Sequence, residues 1–502
     1  KKIEVRVADV RKDGPFKRGD RAALFAPDIQ PLARAEMQAL LRRAAYSRAD
    51  LLTLVRGLPD DVLDWKREQD SMSVREILRH VGNAEEWYVS RIVSPKTLPP
   101  EWTGDDELPI FKFLAMQRRT VIRRLRQLTD GELSGVYYQR LGTEHLDEPW
   151  TARKALRRLL EHEREHLDHT RQVLAAWRAE LLARMAAERG RLFWTVLGVD
   201  EKTVTTRPVA GEWTVKVLLA HIGAWDDLHR QRAALTAAGR EADLPEIHLN
   251  DLNAALFAKH KQWTLNRAVA LCVGARARYL AAFARIPDEA LHRKPAVKGV
   301  WPIRLRTIWR HKHDAEHIVE WNKWRKKNKL KIGIGPKSLL LAALEAARDD
   351  LLATTALLPP DERDTRPLVG KWTLKDVMGH VADWEWQCVK GLRDVARGRD
   401  PNIDIASDSD TDRVNKAMAK ARRGQSWDEV WDDLFAARRA LLRVLDKMTQ
   451  ETLSRPFVSP WRAGDTAYRW VRGWMSHDLE HAAEIRAALG LAWPEKLLRF
   501  EE

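Results

Sequence analysis

Cysteine is nearly absent: the 502 residues contain only Cys272 and Cys388. Two thiols so far apart build no disulfide framework, and their scarcity suits a reducing compartment, so the cytoplasm is the expected location. Long hydrophobic runs are also missing. No stretch approaches the roughly 18 apolar residues of a membrane span, and no intact signal peptide is legible. Alternating runs rich in β-branched residues are few, which leaves little material for sheet. Charge is plentiful but spread: 87 Lys and Arg stand against 72 Asp and Glu, a net of +15. The signs interleave along helical segments as on solvated faces, and the clearest basic run, 323 to 331, falls at a boundary. No specific nucleic-acid partner and no membrane is therefore expected.

What is abundant is Ala, Leu, Arg and Glu in helical periodicity, with 16 His and 22 Trp. The histidines carry the strongest pattern. His80 is followed by His162 and His166, His221 by His313 and His317, and His380 by His477 and His481. Equivalent histidines recur at about 140 to 165 residues, so a chain too long for one ordinary domain divides into three units. The expected organisation is an N-terminal segment over 1–35, then helical bundles over 36–180, 181–330 and 336–495. Ile3-Glu4-Val5-Arg6-Val7 alternates like a short strand, and segment 1–35 reads as the tail of an upstream module.

Each unit reads as four helices, giving an all-α class of three tandem four-helix bundles. The periodic segments are 36–57, 73–93, 108–129 and 151–178; then 179–196, 214–236, 249–285 and 303–326; then 337–357, 373–397, 409–446 and 466–489. Breaks are expected near Trp263 and Gly424. Pro208-Val-Ala-Gly-Glu-Trp-Thr214 matches Pro367-Leu-Val-Gly-Lys-Trp-Thr373, and Ser73, Thr214 and Thr373 each precede a histidine by seven residues. They read as N-caps that fix the histidine's height in its bundle. Asn253 and Asn415 correspond, each eleven residues before a helix cap, and the first repeat has no counterpart. No Gly or Pro lies between Trp177 and Arg189, so one helix is expected to run through; Lys331-Ile-Gly-Ile-Gly-Pro336 reads as a flexible break.

The fourth helices carry His162-Glu-Arg-Glu-His166, His313-Asp-Ala-Glu-His317 and His477-Asp-Leu-Glu-His481. Histidines four apart share a helix face, and a third from the second helix completes a facial three-nitrogen site with open positions. Glu165, Glu316 and Glu480, one residue before the second histidine, are candidates for orienting a ligand or moving a proton. His169 and His311 are expected at the surface. The motif also fits the His-x-x-Glu-His of one class of zinc peptidases, but a peptidase has no need of the second-helix histidine. Trp225 and Trp384, one turn beyond their histidines, are placed to wall an apolar pocket.

With these residues in view, the sequence resembles the DinB-like (DinB/YfiT-like) superfamily of four-helix-bundle metal proteins. The resemblance rests on Trp-Thr before the second helix, on Leu-Arg-His80-Val, Ala-His221-Ile and Gly-His380-Val, and on the paired histidines of the fourth helix; it spans residues 36 to 495. It implies a divalent metal ion, commonly zinc or nickel, held by a histidine triad. Some members are thiol-dependent transferases or isomerases and others hydrolases. The resemblance thus implies a metal-dependent hydrolase or thiol S-transferase acting on small electrophilic molecules in stress response or detoxification, with a low-molecular-weight thiol as cosubstrate. The alternative is a non-catalytic protein that sequesters metal or a small molecule. Tandem bundles can make internally the contacts that single bundles make by dimerising, so a monomer is expected.

Overall fold

The computed structural model describes residues 24–92, 108–138, 149–403 and 408–491. The Ile3–Val7 segment lies outside them. Helices α1 (Arg34–Val55), α2 (Val74–Ser90), α3 (Ile110–Gln127) and the first part of α4 (Ala152–Val196) make the first bundle. The rest of α4 joins α5 (Val215–Ala237), the pair α6 (Leu249–His260) and α7 (Leu265–Ala284), and α8 (Ile303–Lys327) in the second. The third contains α9 (Lys337–Thr354), α10 (Leu374–Ala396), the pair α11 (Asp408–Ala421) and α12 (Trp427–Lys447), and α13 (Ala467–Ala488). The class is all-α. Among the described residues, strand is confined to four two-stranded antiparallel hairpins, two of them formed by the matching Pro-x-x-Gly-x-Trp-Thr segments.

The sequence explains where these helices start. The side chains of Ser73, Thr214 and Thr373 each accept the backbone N–H three residues on, capping α2, α5 and α10; Ser73 and Thr373 complete capping boxes with Glu76 and Asp376. Along α2, Val74, Ile77, Leu78, Val81, Tyr88 and Val89 are buried at three- and four-residue spacing, the stripe of a helix with one face in a core. Gly223, two residues after His221, allows α5 to approach α7 closely: a Cβ there would lie 2.8 Å from the backbone of Cys272. Cys272 and Cys388 are free and buried.

The chain separates into two compact units, at Trp177. In the first, Leu41, Val89, Val121, Leu125, Trp150 and Leu159 belong to one core. In the second, the second and third bundles share a core that runs through Phe193, Trp321, Leu340, Leu344, Leu441 and Leu479. Helix α4 continues unbroken through 45 residues, running through Trp177 to Arg189 where neither Gly nor Pro interrupts it, as expected. The expected flexible break at 331–336 is instead a packed connection. Gly333 N–H donates to Gly198 O at 2.8 Å, and Gly198 N–H donates to the Tyr468 hydroxyl at 3.0 Å. Gly198 has φ +85, and a Cβ there would come within 2.9 Å of Gly333 O. These glycines serve close backbone approach rather than looseness. Among the described residues no helix is long and apolar enough to cross a membrane.

Candidate metal centre

Each bundle brings its three predicted histidines together. The α2, α5 and α10 caps set one histidine two turns into its helix, facing the pair four apart on α4, α8 or α13. In all three sets the ligand atoms lie within 4.8 Å of one another. The Nε2 atoms converge: His162 lies 3.1 Å from both His80 and His166, His221 is 3.3 Å from His313, and His477 is 3.0 Å from His380 and 2.9 Å from His481. Two nitrogens held at about 2.0 to 2.1 Å from one ion are separated by about 2.8 to 3.4 Å across right to tetrahedral angles, so this spacing fits chelation.

The donors' chemistry fits as well. Burial, then repulsion between the rings, favours neutral imidazole, the ligating form: His162 and His221 are pushed down to about 3, His166 and His477 to about 4, and His380 to about 2. His317 Nε2 is buried in its triad with no hydrogen-bond partner. A cation would satisfy such an atom. On the far side of the ring, His317 Nδ1 donates to Glu320 Oε2 at 3.0 Å and His481 Nδ1 to Glu484 Oε2 at 2.7 Å. Such a bond fixes the tautomer that leaves Nε2 free to ligate.

Beside each triad lies a buried quartet of charges, one from each of four helices. Arg48 and Arg118 pair with Glu85 and Glu163; Arg189 and Arg276 with Asp226 and Asp314; Arg348 and Arg438 with Glu385 and Asp478. The acids are always the fifth residue after the first histidine and the residue after the second. Burial alone would raise the Asp226 carboxyl, but Arg276, Arg310 and Arg189 hold it far below its ordinary range. The second bundle differs by the extra Arg310, which donates to Asp226 at 2.8 Å and contacts His313 Nδ1 at 3.2 Å. A guanidinium only donates, so this contact places the neutral His313 proton on Nε2, and ligation through Nε2 requires His313 to give up its contact with Arg310.

A family model described as the DinB superfamily matches three times, over residues 43–170, 184–318 and 343–485. The chain belongs to the DinB superfamily. No curated protein and no solved structure matches it. The three DinB copies meet their triads with different surroundings. In the second and third, Trp213 and Trp372 pack on His221 and His380 at 5.4 and 4.8 Å between ring centroids. Trp225 and Trp384 stand farther off, at 6.2 and 6.4 Å, and donate to Asn253 and Asn415 at 3.1 and 2.7 Å. This explains the paired asparagines. The first copy has Met72 and Ala84 where the others have these tryptophans.

Glu165, Glu316 and Glu480 are exposed, on the solvent side of their helices. Arg158 Nη1 lies 3.6 Å from Glu165, while Glu480, exposed as a residue, has its carboxyl partly covered beside His481 and Glu484 and so raised. His169 and His311, expected at the surface, are half-buried; the His169 ring is 5.8 Å from His166. Sequence reasoning missed Glu320, Glu484 and the quartets. The signal for the first two was an acid three residues after the last histidine, and for the quartets, charges recurring at fixed offsets inside otherwise apolar stripes.

Proposed function

We propose that this DinB-superfamily chain is a metal-dependent enzyme acting on small electrophilic molecules, as a hydrolase or a thiol S-transferase in detoxification or stress response. The observation that carries this reading is the convergence, three times over, of three histidine nitrogens within 4.8 Å of one another, with no fourth His, Cys or carboxylate in any of the sets among the described residues. Nine histidines, His80, His162, His166, His221, His313, His317, His380, His477 and His481, would hold the ions, with zinc or nickel favoured by an all-imidazole set. A divalent ion bound there would supply Lewis acidity and make water or a low-molecular-weight thiol nucleophilic near neutral pH.

The chain's own groups would do the rest. The histidines bind on one face and leave the other for substrate. Glu320 and Glu484 orient the rings they touch. Trp213, Trp225, Trp372 and Trp384 exclude water around two of the triads. Glu165, Glu316 and Glu480 stand at the rims, where they would exchange protons with solvent. We place the protein in the cytoplasm as a monomer of three bundles, divided near residues 180 and 330.

The test is multiple turnover. Full-length protein is assayed with small electrophiles, with and without thiol, before and after chelation. Product beyond three equivalents per chain, lost with chelator and reduced by His80→Ala in a folded variant, is the expected result; unchanged turnover with all three triads substituted would sink the proposal. One observation favours sequestration in the third bundle: the cavity beside His380, lined by Trp372, Asn415 and Arg422, has only about 10 Å³. That is about the space of one water and admits no organic substrate.

A further inference from the structure

The triads share ligands but not access. Beside His80 and His162 lies an open cleft of about 390 Å³, walled by Ala84, Trp87, Tyr88 and Arg158. That volume is in the range of small-ligand pockets, against about 10 Å³ beside His380. The cavity beside His380 is closed in by Trp372, Asn415 and Arg422, and the first bundle has Met72 in place of Trp372. Ala84 holds the place taken by Trp225 and Trp384, so no indole reaches across the first triad. The first-bundle site is therefore the copy open to an organic ligand.

The charges of the cleft define the ligand. Arg158, four residues before His162, stands where the second bundle has Trp309 and the third has Gly473. It is 6 % exposed, and its Nε is buried with no hydrogen-bond partner. Its Nη1 is used: it donates to Glu161 at 2.9 Å, and Glu161 also takes Arg157 at 2.8 Å. Behind the triad, the carboxylate that receives His317 and His481 is replaced by His169, and His166 Nδ1 is buried with no partner. The first centre thus lacks the negative charge that backs its two relatives. The walls are aromatic: Tyr88 stacks on Trp150 at 5.8 Å, and Trp87 meets Trp150 edge-on at 5.3 Å.

We propose that the first bundle alone accepts substrate, and that this substrate class is a small aromatic or otherwise planar carboxylate, its anionic end received by Arg158 and its flat body by Trp87 and Tyr88. The proposal rests on the metal-enzyme reading for the word substrate, but the binding does not require turnover. A charge-assisted hydrogen bond and an aromatic wall recognise this class together, since neither a bare cation nor an apolar molecule uses both.

The experiment is calorimetric titration of the full chain with benzoate, and with benzamide as its uncharged counterpart, on zinc-loaded and on chelator-stripped protein. One benzoate per chain is expected, with benzamide at least about tenfold weaker. Arg158→Gln and Ala84→Trp should each weaken benzoate about tenfold or more. Circular dichroism and zinc content check that the variants fold, and Ala84→Leu replaces Ala84→Trp if the latter does not. Three equivalents, no saturable binding in either state, equal binding of benzamide, or affinity indifferent to both substitutions would overturn the proposal. Failure of zinc to bind at all would instead remove the metal-enzyme reading, and benzoate uptake by stripped protein, still dependent on Arg158, would leave the ligand assignment standing.

Discussion

At His481 the ring nitrogen that faces away from the triad donates to Glu484, and at His317 the same nitrogen donates to Glu320. Removing that acceptor's negative charge weakens the bond and lowers the ring's basicity. Glu484→Gln should weaken metal binding at the third triad about 10- to 100-fold in chelator competition, and leave the first triad, which has His169 there, unaffected. His229 makes a second residue-scale case. It is buried, stacked on Trp225, and neither ring nitrogen has a partner. Burial first, then Arg310 and Arg306, push it from 6.5 down to about 3. Between those values the unfolded chain takes up a proton that the folded chain refuses, so stability present above about pH 6.5 is lost as the pH falls through the window. His229→Gln should flatten that loss in urea titrations at pH 7, 6 and 5, run with chelator so that metal release does not contribute. The histidine triads were legible because residue type and spacing recur three times. Glu165, Glu316 and Glu480 show the limit: adjacency in sequence placed them at the site, yet one step around the helix turns each to solvent.

The helices themselves were readable nearly to their ends. Ser73, Thr214, Thr373 and Ser426 are caps whose side chains accept backbone N–H groups, and the apolar stripes after them give direction. The divided third element was readable for the same reason, a second cap in mid-segment. The charge quartets were not. Arg and Glu along a helix read as a solvated surface, and only the fold shows that Arg438, Glu385, Arg348 and Asp478 meet inside. Breaking one such pair strands a buried charge. Arg438→Leu is therefore expected to destabilise the third bundle by about 3 to 5 kcal/mol in chemical denaturation. Arg276→Leu should cost less, because Arg310 still pairs with Asp226. Equal costs would show that the third arginine does not share the load. The hairpins before α5 and α10 also escaped the reading: two or three residues per strand leave no alternation to detect, although the repeated Pro-x-x-Gly-x-Trp-Thr segment was visible.

At the scale of the molecule, three repeats were legible from the histidine period alone, and the three family matches fall on them. The grouping of those repeats was not, because composition cannot say whether Gly-Ile-Gly-Pro is slack or packed. Here Gly333 bonds to Gly198, the Tyr468 hydroxyl accepts from Gly198 N–H, and the second and third bundles share a core. Limited proteolysis under native conditions should therefore spare 331–336, and the two bundles should unfold in one transition; early cleavage there, or two separate transitions within 178–491, would show the connection to be loose. The threefold site is the feature on which the functional reading stands, and metal content tests it most directly. Protein purified without an affinity-tag metal column, measured by inductively coupled plasma mass spectrometry beside His80→Ala, His221→Ala and His380→Ala, should carry about three ions per chain and lose one with each substitution. No bound metal, and none taken up on reconstitution, would contradict it.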